Sequence, residues 1–229
     1  MNQLPASVTK YLNKYADNRR HTEAPNYSGI KNIVVIPAMD EFENIKLLLS
    51  SISKCDKKYF HSTLFLFVIN NFITSTELVK ENNRQSLVLL RSLINRHIED
   101  AFVAGIKNSG MKLSLVDASS NGNEMPEKVG GVGLARKIGM DLALTIFDYS
   151  NPLKNILICL DADCTVSYNY LTSIVDNFNN RRLEAASLYF EHSLTSDYKT
   201  ASAIICYEIF LRYYVLGLTY SNSYIAFHT

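Results

Sequence analysis

The fold class follows from one stretch of the chain, Asn155-Ile-Leu-Ile-Cys-Leu-Asp-Ala-Asp163. Five consecutive apolar residues run directly into two carboxylates that are one residue apart. A short continuous apolar run is typical of a strand buried on both faces of a parallel sheet, so we expect Cys159 to be buried. The run ends at Asp161, and both carboxylates therefore stand at the carboxyl end of the strand, the edge at which open α/β sheets bind ligands.

Asp161 and Asp163 allow two interpretations. Two hard oxygen donors this close suit a divalent cation such as Mg²⁺ or Mn²⁺, bound together with the phosphates of a substrate. The alternative is that both residues open a turn and cap the next helix. His192 and His228 could complete a metal site with the two aspartates, or be ordinary polar or packed residues.

Short apolar runs alternate with helical patterns along the chain. We expect five strands and six helices: strands over 32–37, 63–69, 112–116, 155–160 and 185–190, and helices over 5–20, 45–53, 84–106, 132–148, 168–179 and 198–218. This alternation predicts an α/β fold with a largely parallel sheet that helices cover on both faces. Polar residues follow most of the strands, so they should line one edge of the sheet. Their convergence favours a binding site over a set of helix caps.

Composition limits the partners. The chain has 229 residues and a formal net charge of +1, which favours neither nucleic acid nor an anionic membrane as partner. Its four cysteines form no Cys-x-x-Cys pair, so neither a zinc site nor a disulfide framework is indicated. The N-terminal segment lacks the apolar core of a signal peptide. We expect a cytoplasmic protein, either free or peripheral to the inner face of the membrane.

The most apolar C-terminal run, Ala201–Tyr220, carries Glu208 and Arg212 in its middle. Two charges at this position make the run a poor transmembrane segment. Their spacing of four residues predicts an ion pair along one helix face. We therefore expect a buried or interfacial helix and no transmembrane segment.

A glycine-rich segment, Gly130-Gly-Val-Gly-Leu-Ala-Arg-Lys137, opens the fourth predicted helix. A dinucleotide-binding turn must follow a strand directly, and the polar residues before this segment argue against one. Two interpretations remain open. The segment is a loop close to a diphosphate, with Arg136 reaching a phosphate or a base, or it is a plain loop with Arg136 on a solvated helix face.

Three segments together resemble a family-2 glycosyltransferase of the GT-A fold, a class that uses nucleotide-diphospho-sugars. They are, in the family's order, Val34-Val-Ile-Pro-Ala-Met-Asp-Glu-Phe-Glu-Asn-Ile45, Gly133-Leu-Ala-Arg-Lys-Ile-Gly139 and Leu160-Asp-Ala-Asp163. The resemblance implies a GT-A three-layer α/β/α sandwich with a mainly parallel sheet over residues 30–229. A helical extension over residues 1–29 would precede it.

The resemblance also implies roles for individual residues. The nucleotide sugar is expected to contact Pro37, Ala38, Glu41, Asn71, Asp117, Arg136 and Asp161. Asp163 would ligate Mn²⁺ or Mg²⁺, with Asp161 at the metal or its water shell. The family's second strand commonly ends in an acidic pair near the base, and here Asn70-Asn71 stands in that place, which leaves the nucleobase open.

The implied activity is the metal-dependent, inverting transfer of a sugar from a UDP- or GDP-sugar to an unknown sugar, lipid or polymer acceptor. Inversion needs a carboxylate base, for which Glu191 is the candidate. The chain stops at Thr229, earlier than a complete domain of this type, so we expect a C-terminal truncation and an incomplete acceptor-binding half, which would leave this chain alone inactive. Two alternatives are a nucleotide-sugar-binding domain without transferase activity and a sugar-phosphate nucleotidyltransferase.

Overall fold

The computed structural model describes residues 4–17, 19–25, 27–95, 101–181 and 183–223. Contacts divide the chain into two compact units, Met1–Arg182 and Leu183–Thr229. The described part of the first unit contains, in chain order, α1 (Ala6–Tyr15), β1 (Asn32–Ala38), α2 (Phe42–Ser53), β2 (Thr63–Asn70), α3 (Glu77–Ile94), α4 (Ala101–Asn108), β3 (Lys112–Ala118), α5 (Val132–Ile146), β4 (Ile156–Cys159) and α6 (Tyr170–Asn180). The second unit contains α7 (Tyr198–Tyr220).

The four strands form one parallel sheet in the order β3-β2-β1-β4. Every residue of β1 and β2 is buried, as expected for central strands covered on both faces. One apolar cluster joins the sheet to α2, α3, α4 and α6, and a second joins the opposite face to α5. The predicted α/β class and parallel sheet are therefore confirmed, in an arrangement compatible with a Rossmann-like fold.

The direction in which the chain builds the sheet reverses at β1. The chain adds β2 and then β3 on one side of β1, and then crosses to the other side to add β4. In open α/β sheets, ligands bind outside the carboxyl ends of the two strands that flank such a reversal. In this protein those ends are the residues that follow Ala38 and Cys159.

The N-terminal segment packs on the sheet and on α5. The Tyr11 hydroxyl donates a hydrogen bond to the Asp141 carboxylate at 3.1 Å. Glu23 exchanges two backbone hydrogen bonds with Leu115 of β3, at 2.7 and 3.0 Å. Helix α1 is shorter than predicted, but the residues that follow it are tied to the outer strand of the sheet.

β1 continues one residue beyond Pro37, where the sequence predicts its end. The Val35 carbonyl accepts a hydrogen bond from the Leu160 amide at 3.1 Å, so the Val35 backbone faces β4. The backbone groups of alternate residues face the same neighbouring strand, so Pro37 also faces the β4 side. The pairing of β1 with β4 has already stopped there, at Val35 and Cys159. The missing N–H of Pro37 therefore removes no hydrogen bond from the sheet.

Two predictions about strands are wrong. Cys159 is exposed, because β4 pairs only with β1 among the described strands and so lies at the edge of the sheet. Residues 185–190, predicted as a fifth strand, form no strand, and their large side chains Leu188, Tyr189 and Phe190 are exposed. Apolar composition alone does not make a strand, since the backbone groups also need a neighbouring strand to pair with.

The region predicted as one helix over 84–106 forms α3 and α4. α3 begins earlier than predicted because Thr76 caps it: the hydroxyl accepts a hydrogen bond from the Val79 amide. α3 ends at Ile94, and α4 begins at Ala101.

Within the described residues, α7 is the one helix long and apolar enough to cross a membrane, judged by length and composition. None of its residues is buried, so of the two expected kinds of helix, buried or interfacial, the buried one is not observed. Glu208 and Arg212 form the predicted ion pair, with 3.1 Å between Oε2 and Nη2. The absence of a transmembrane segment stays a prediction.

Candidate functional site

Polar residues from all four strands lie at the carboxyl edge of the sheet. The strands are parallel, so their carboxyl ends meet at the same edge. Across that edge, following the strand order, stand Asp117, Asn71, Glu41 and Asp161. Asp161 and Glu41 follow the two strands between which the order reverses, and a ligand at the reversal would lie between them.

Asp161 and Asp163 stand on a turn directly after β4, with Ala162 between them buried in the core. The Asp161 carboxylate is paired with the Arg136 guanidinium from α5, and the two side chains are 50% and 35% exposed. Asp163 is exposed. Among the described residues, it contacts the thiol of Cys164, which donates weakly to Oδ1 at 3.7 Å.

Neither aspartate caps the following helix. α6 begins at Tyr170, and its N-cap residue is Asn169, well after the turn that holds the two carboxylates. The carboxylates therefore stabilise no helix terminus there. The interpretation of the two aspartates as helix caps is therefore wrong. The turn on which they stand leaves both side chains accessible to a ligand.

α5 begins at the same edge of the sheet and directs Arg136 toward it. Met125, in the loop before α5, donates its N–H to the Asn71 carbonyl at 2.9 Å and so ties this loop to the end of β2. Gly131, with a φ of 121°, then turns the chain into the helix through a conformation that favours glycine. No described side chain caps the first turn of α5. Arg136 is partly buried and paired with Asp161, so it is not fully solvated on its helix face.

The turn after β1 is held by asparagines of α3. Asn83 is 1% exposed; its Oδ1 accepts the Asp40 amide at 3.0 Å and its Nδ2 donates to the Asn71 Oδ1 at 2.9 Å. Asn82 accepts the Phe42 amide at 3.0 Å. Asp40 has a φ of 65°, an uncommon conformation for a residue other than glycine. These hydrogen bonds hold it there.

Sequence reasoning misses Asn82 and Asn83. The predicted helix begins at residue 84, so the two asparagines stand just before it in the sequence. In the structure they lie inside α3, where asparagine is a poor helix former and competes for backbone groups. Their partners lie about forty residues earlier in the chain. The spacing alone gives no indication of that contact.

We expect Asn83→Asp to lower the free energy of unfolding by about 2–3 kcal/mol. The aspartate keeps an acceptor for the Asp40 amide but loses the donors to the Asn70 carbonyl and the Asn71 Oδ1, and it buries a charge. Urea unfolding followed by circular dichroism measures the change. Gln85→Ala is the matched control, because Gln85 is exposed on the same helix and bonds only the nearby Glu81 among the described residues. Equal stability of N83D and the wild type would contradict the role given to Asn83.

Asp117 is engaged within the protein. Its Oδ1 accepts the amides of Ser119 and Ser120 at 3.1 and 2.9 Å, and its Oδ2 accepts from Arg91 at 2.9 Å. Burial raises the pKa of this carboxyl, but the hydrogen bonds from Ser120, Ser119 and Arg91 outweigh burial and hold the pKa below its usual range. Asp117 thus orders the loop after β3, and its contact with a nucleotide stays a prediction.

The other predicted donor contacts differ in what they can offer. Asn71 is 1% exposed; its Oδ1 accepts from Asn83 and its Nδ2 donates to the Phe72 carbonyl. Pro37 and Ala38 are buried at the end of β1. Glu41 is partly exposed, and its carboxylate accepts from the Asn44 amide group. Of these four residues, Glu41 has the side chain most accessible to a ligand.

Glu191, the predicted base, lies in the second unit. Its carboxylate accepts a hydrogen bond from the Tyr189 hydroxyl. His192 places Nδ1 at 2.6 Å from the Glu208 carboxylate. His228, a predicted metal ligand, lies outside the described residues. The structure thus brings together Asp161 and Arg136 in the first unit, and the roles of Glu191 and His228 stay predictions.

Asp161 and Asp163 fit a divalent cation that is shared with a ligand. The described residues contain no group of three or more His, Cys, Asp or Glu side chains that could hold a metal. Two carboxylates suffice where the phosphates of a substrate and water complete the oxygen shell of Mg²⁺ or Mn²⁺. The donor set therefore suits a cation that binds together with a phosphate ligand.

The function has to be inferred from this site, because fold alone does not specify it. No family model matches the chain, and no curated protein matches it.

Proposed function

We propose that the first unit binds a nucleotide-diphospho-sugar together with Mn²⁺ or Mg²⁺, and that the protein is a glycosyltransferase of the GT-A type. The observation that carries the proposal is the position of Asp161 and Asp163, at the carboxyl edge where the strand order reverses between β1 and β4. Nucleotides bind at this position in open α/β sheets of this order.

The charges at this edge suit a diphosphate that is bound through a cation. Without a cation, the carboxylates of Asp161 and Asp163 would repel a phosphate. A site that bound phosphate through Arg136 alone would not need an acidic neighbour beside the arginine. A divalent cation next to the carboxylates and a guanidinium beside it together offer positive charge to two phosphate groups. The uncapped first turn of α5 adds amide donors at the same edge.

In the proposed chemistry the acceptor oxygen forms a bond to the anomeric carbon, and the bond from that carbon to the diphosphate breaks, which leaves negative charge on a phosphate oxygen. The divalent cation, when bound, neutralises that charge. Arg136 donates charge-assisted hydrogen bonds to the departing diphosphate. Glu191 is the proposed base that takes the proton of the acceptor hydroxyl in an inverting transfer. The acceptor is a sugar, a lipid or a polymer, and a location peripheral to the inner face of the membrane stays a prediction.

A nucleotide-sugar-binding domain without transferase activity is the second candidate. One observation favours it: Glu191 lies in a segment without helix or strand, where its described contact is with Tyr189. The two candidates share the binding of the donor and differ in the fate of the sugar.

Isothermal titration with UDP-glucose and GDP-mannose, with and without Mn²⁺, tests the proposal. We expect one of the two donors to bind in the micromolar to millimolar range, and only when Mn²⁺ is present. An assay for released UDP or GDP on the same samples separates a transferase from a binding domain. Failure of both donors to bind, or binding that is indifferent to Mn²⁺, would overturn the proposed function.

A further inference from the structure

Arg136 and Asp161 satisfy each other in the structure. The guanidinium Nη2 donates to the Asp161 Oδ1, and neither side chain is fully buried. The Arg136 Nε is buried and has no hydrogen-bond partner among the described residues. The two side chains that the proposed function assigns to the cation and to the diphosphate therefore neutralise each other, while the buried Nε of the guanidinium has no described partner.

We propose that Arg136 is an exchangeable counter-ion, which occupies Asp161 until a divalent cation takes the carboxylate and a diphosphate takes the guanidinium. The inference rests on the proposed function and adds to it a coupling between the two ligands. The proposed exchange takes place at the Arg136–Asp161 pair. The ligands that drive it are a divalent cation and a nucleoside diphosphate.

Charge explains why the exchange has to be coupled. A guanidinium and a divalent cation on one carboxylate repel each other, so a cation that binds alone must displace Arg136 and leave it without its partner. A diphosphate offers the guanidinium a planar pair of acceptor oxygens in place of the carboxylate. Each ligand therefore removes part of the cost of binding the other, and such coupling is reciprocal.

The exchange requires only movement of side chains. α5 packs closely on the sheet at Gly139, where a Cβ would lie 2.4 Å from the Val35 side chain and 3.0 Å from that of Val68. The helix is therefore held in place three residues after Arg136. Asp161 is half exposed on its turn, and it can receive a cation without a change in β4.

The test measures the affinity for Mn²⁺ alone by electron paramagnetic resonance, and that for UDP and for GDP, each with and without Mn²⁺, by titration calorimetry; the results below are written for UDP and hold for GDP if GDP is the nucleotide that binds. In the wild type we expect UDP to raise Mn²⁺ affinity about tenfold or more, within the usual range of coupling between sites. In Arg136→Gln we expect Mn²⁺ alone to bind several-fold more tightly and UDP with Mn²⁺ to bind more weakly. The coupling should be several-fold smaller than in the wild type, because only the direct contact between the cation and the phosphates then remains.

Lys128→Gln is the matched control, because it removes one positive charge from the exposed loop before α5. It should leave all of these affinities near the wild-type values. The opposite signs expected for R136Q cannot arise from a general loss of structure. If the wild type binds UDP with Mn²⁺ and R136Q binds Mn²⁺ alone no more tightly, the exchange is wrong and the proposed function stands. If the wild type binds neither UDP nor GDP in the presence of Mn²⁺, both are wrong.

Discussion

Replacing Gly139 by valine is expected to lower the free energy of unfolding by about 3 kcal/mol or more, with alanine intermediate at about 1–3 kcal/mol. Any side chain at this position meets Val35 of β1 and Val68 of β2, both of which are fully buried. Valine side chains have few alternative rotamers, so the clash must move the helix or the sheet. Urea unfolding followed by far-ultraviolet circular dichroism measures the loss.

Gly133→Ala is the control for Gly139. Gly133 lies in the same helix, and a Cβ there would meet nothing within 4 Å. Alanine favours the helix by up to about 1 kcal/mol, so G133A should be as stable as the wild type or more stable. If G139A unfolds at the same urea concentration as G133A, the close packing of α5 on the central strands is wrong.

Asp163→Asn is expected to weaken the Mn²⁺-dependent binding of the nucleotide sugar by about a hundredfold, which corresponds to about 2.7 kcal/mol. The substitution keeps the shape of the side chain and removes the charge that binds the cation. Asp163 is exposed, and its one described contact is a weak one with Cys164, so the stability should not change. Titration calorimetry with and without Mn²⁺ measures the effect.

The variant should differ from the wild type only when metal is present. Without Mn²⁺, neither protein should bind the nucleotide sugar measurably. Glu127→Gln removes a negative charge from the exposed loop before α5 and should behave as the wild type throughout. Binding by D163N that equals that of the wild type in Mn²⁺ would exclude Asp163 as a metal ligand.

The sequence predicts the central sheet well because local apolar runs determine it. β1 and β2 are continuous apolar runs bounded by polar residues, and their observed ends lie within one residue of the predicted ones. The carboxylates after β4 are equally local, since the run that forms the strand stops at Asp161. That these carboxylates lie beside the end of β1 follows only from the strand order. The order depends on the crossover through α5, which places β4 next to β1.

The features that sequence reasoning misses depend on contacts between distant parts of the chain. Asn83 reaches Asp40 and Asn71 across the turn after β1, and Arg136 reaches Asp161 from another element. Residues 185–190 have the composition of a strand and form none. A strand also needs a neighbouring strand to pair with, and composition does not predict whether one is present.

Anomalous diffraction from crystals grown with Mn²⁺ and UDP tests most directly whether β4 ends in a metal site. We predict a manganese peak about 2 Å from an Asp163 carboxylate oxygen, with a diphosphate oxygen in the same coordination shell and Arg136 turned toward the phosphates. A manganese peak elsewhere, or UDP bound at this edge with both aspartates turned away from it, would contradict the proposed site.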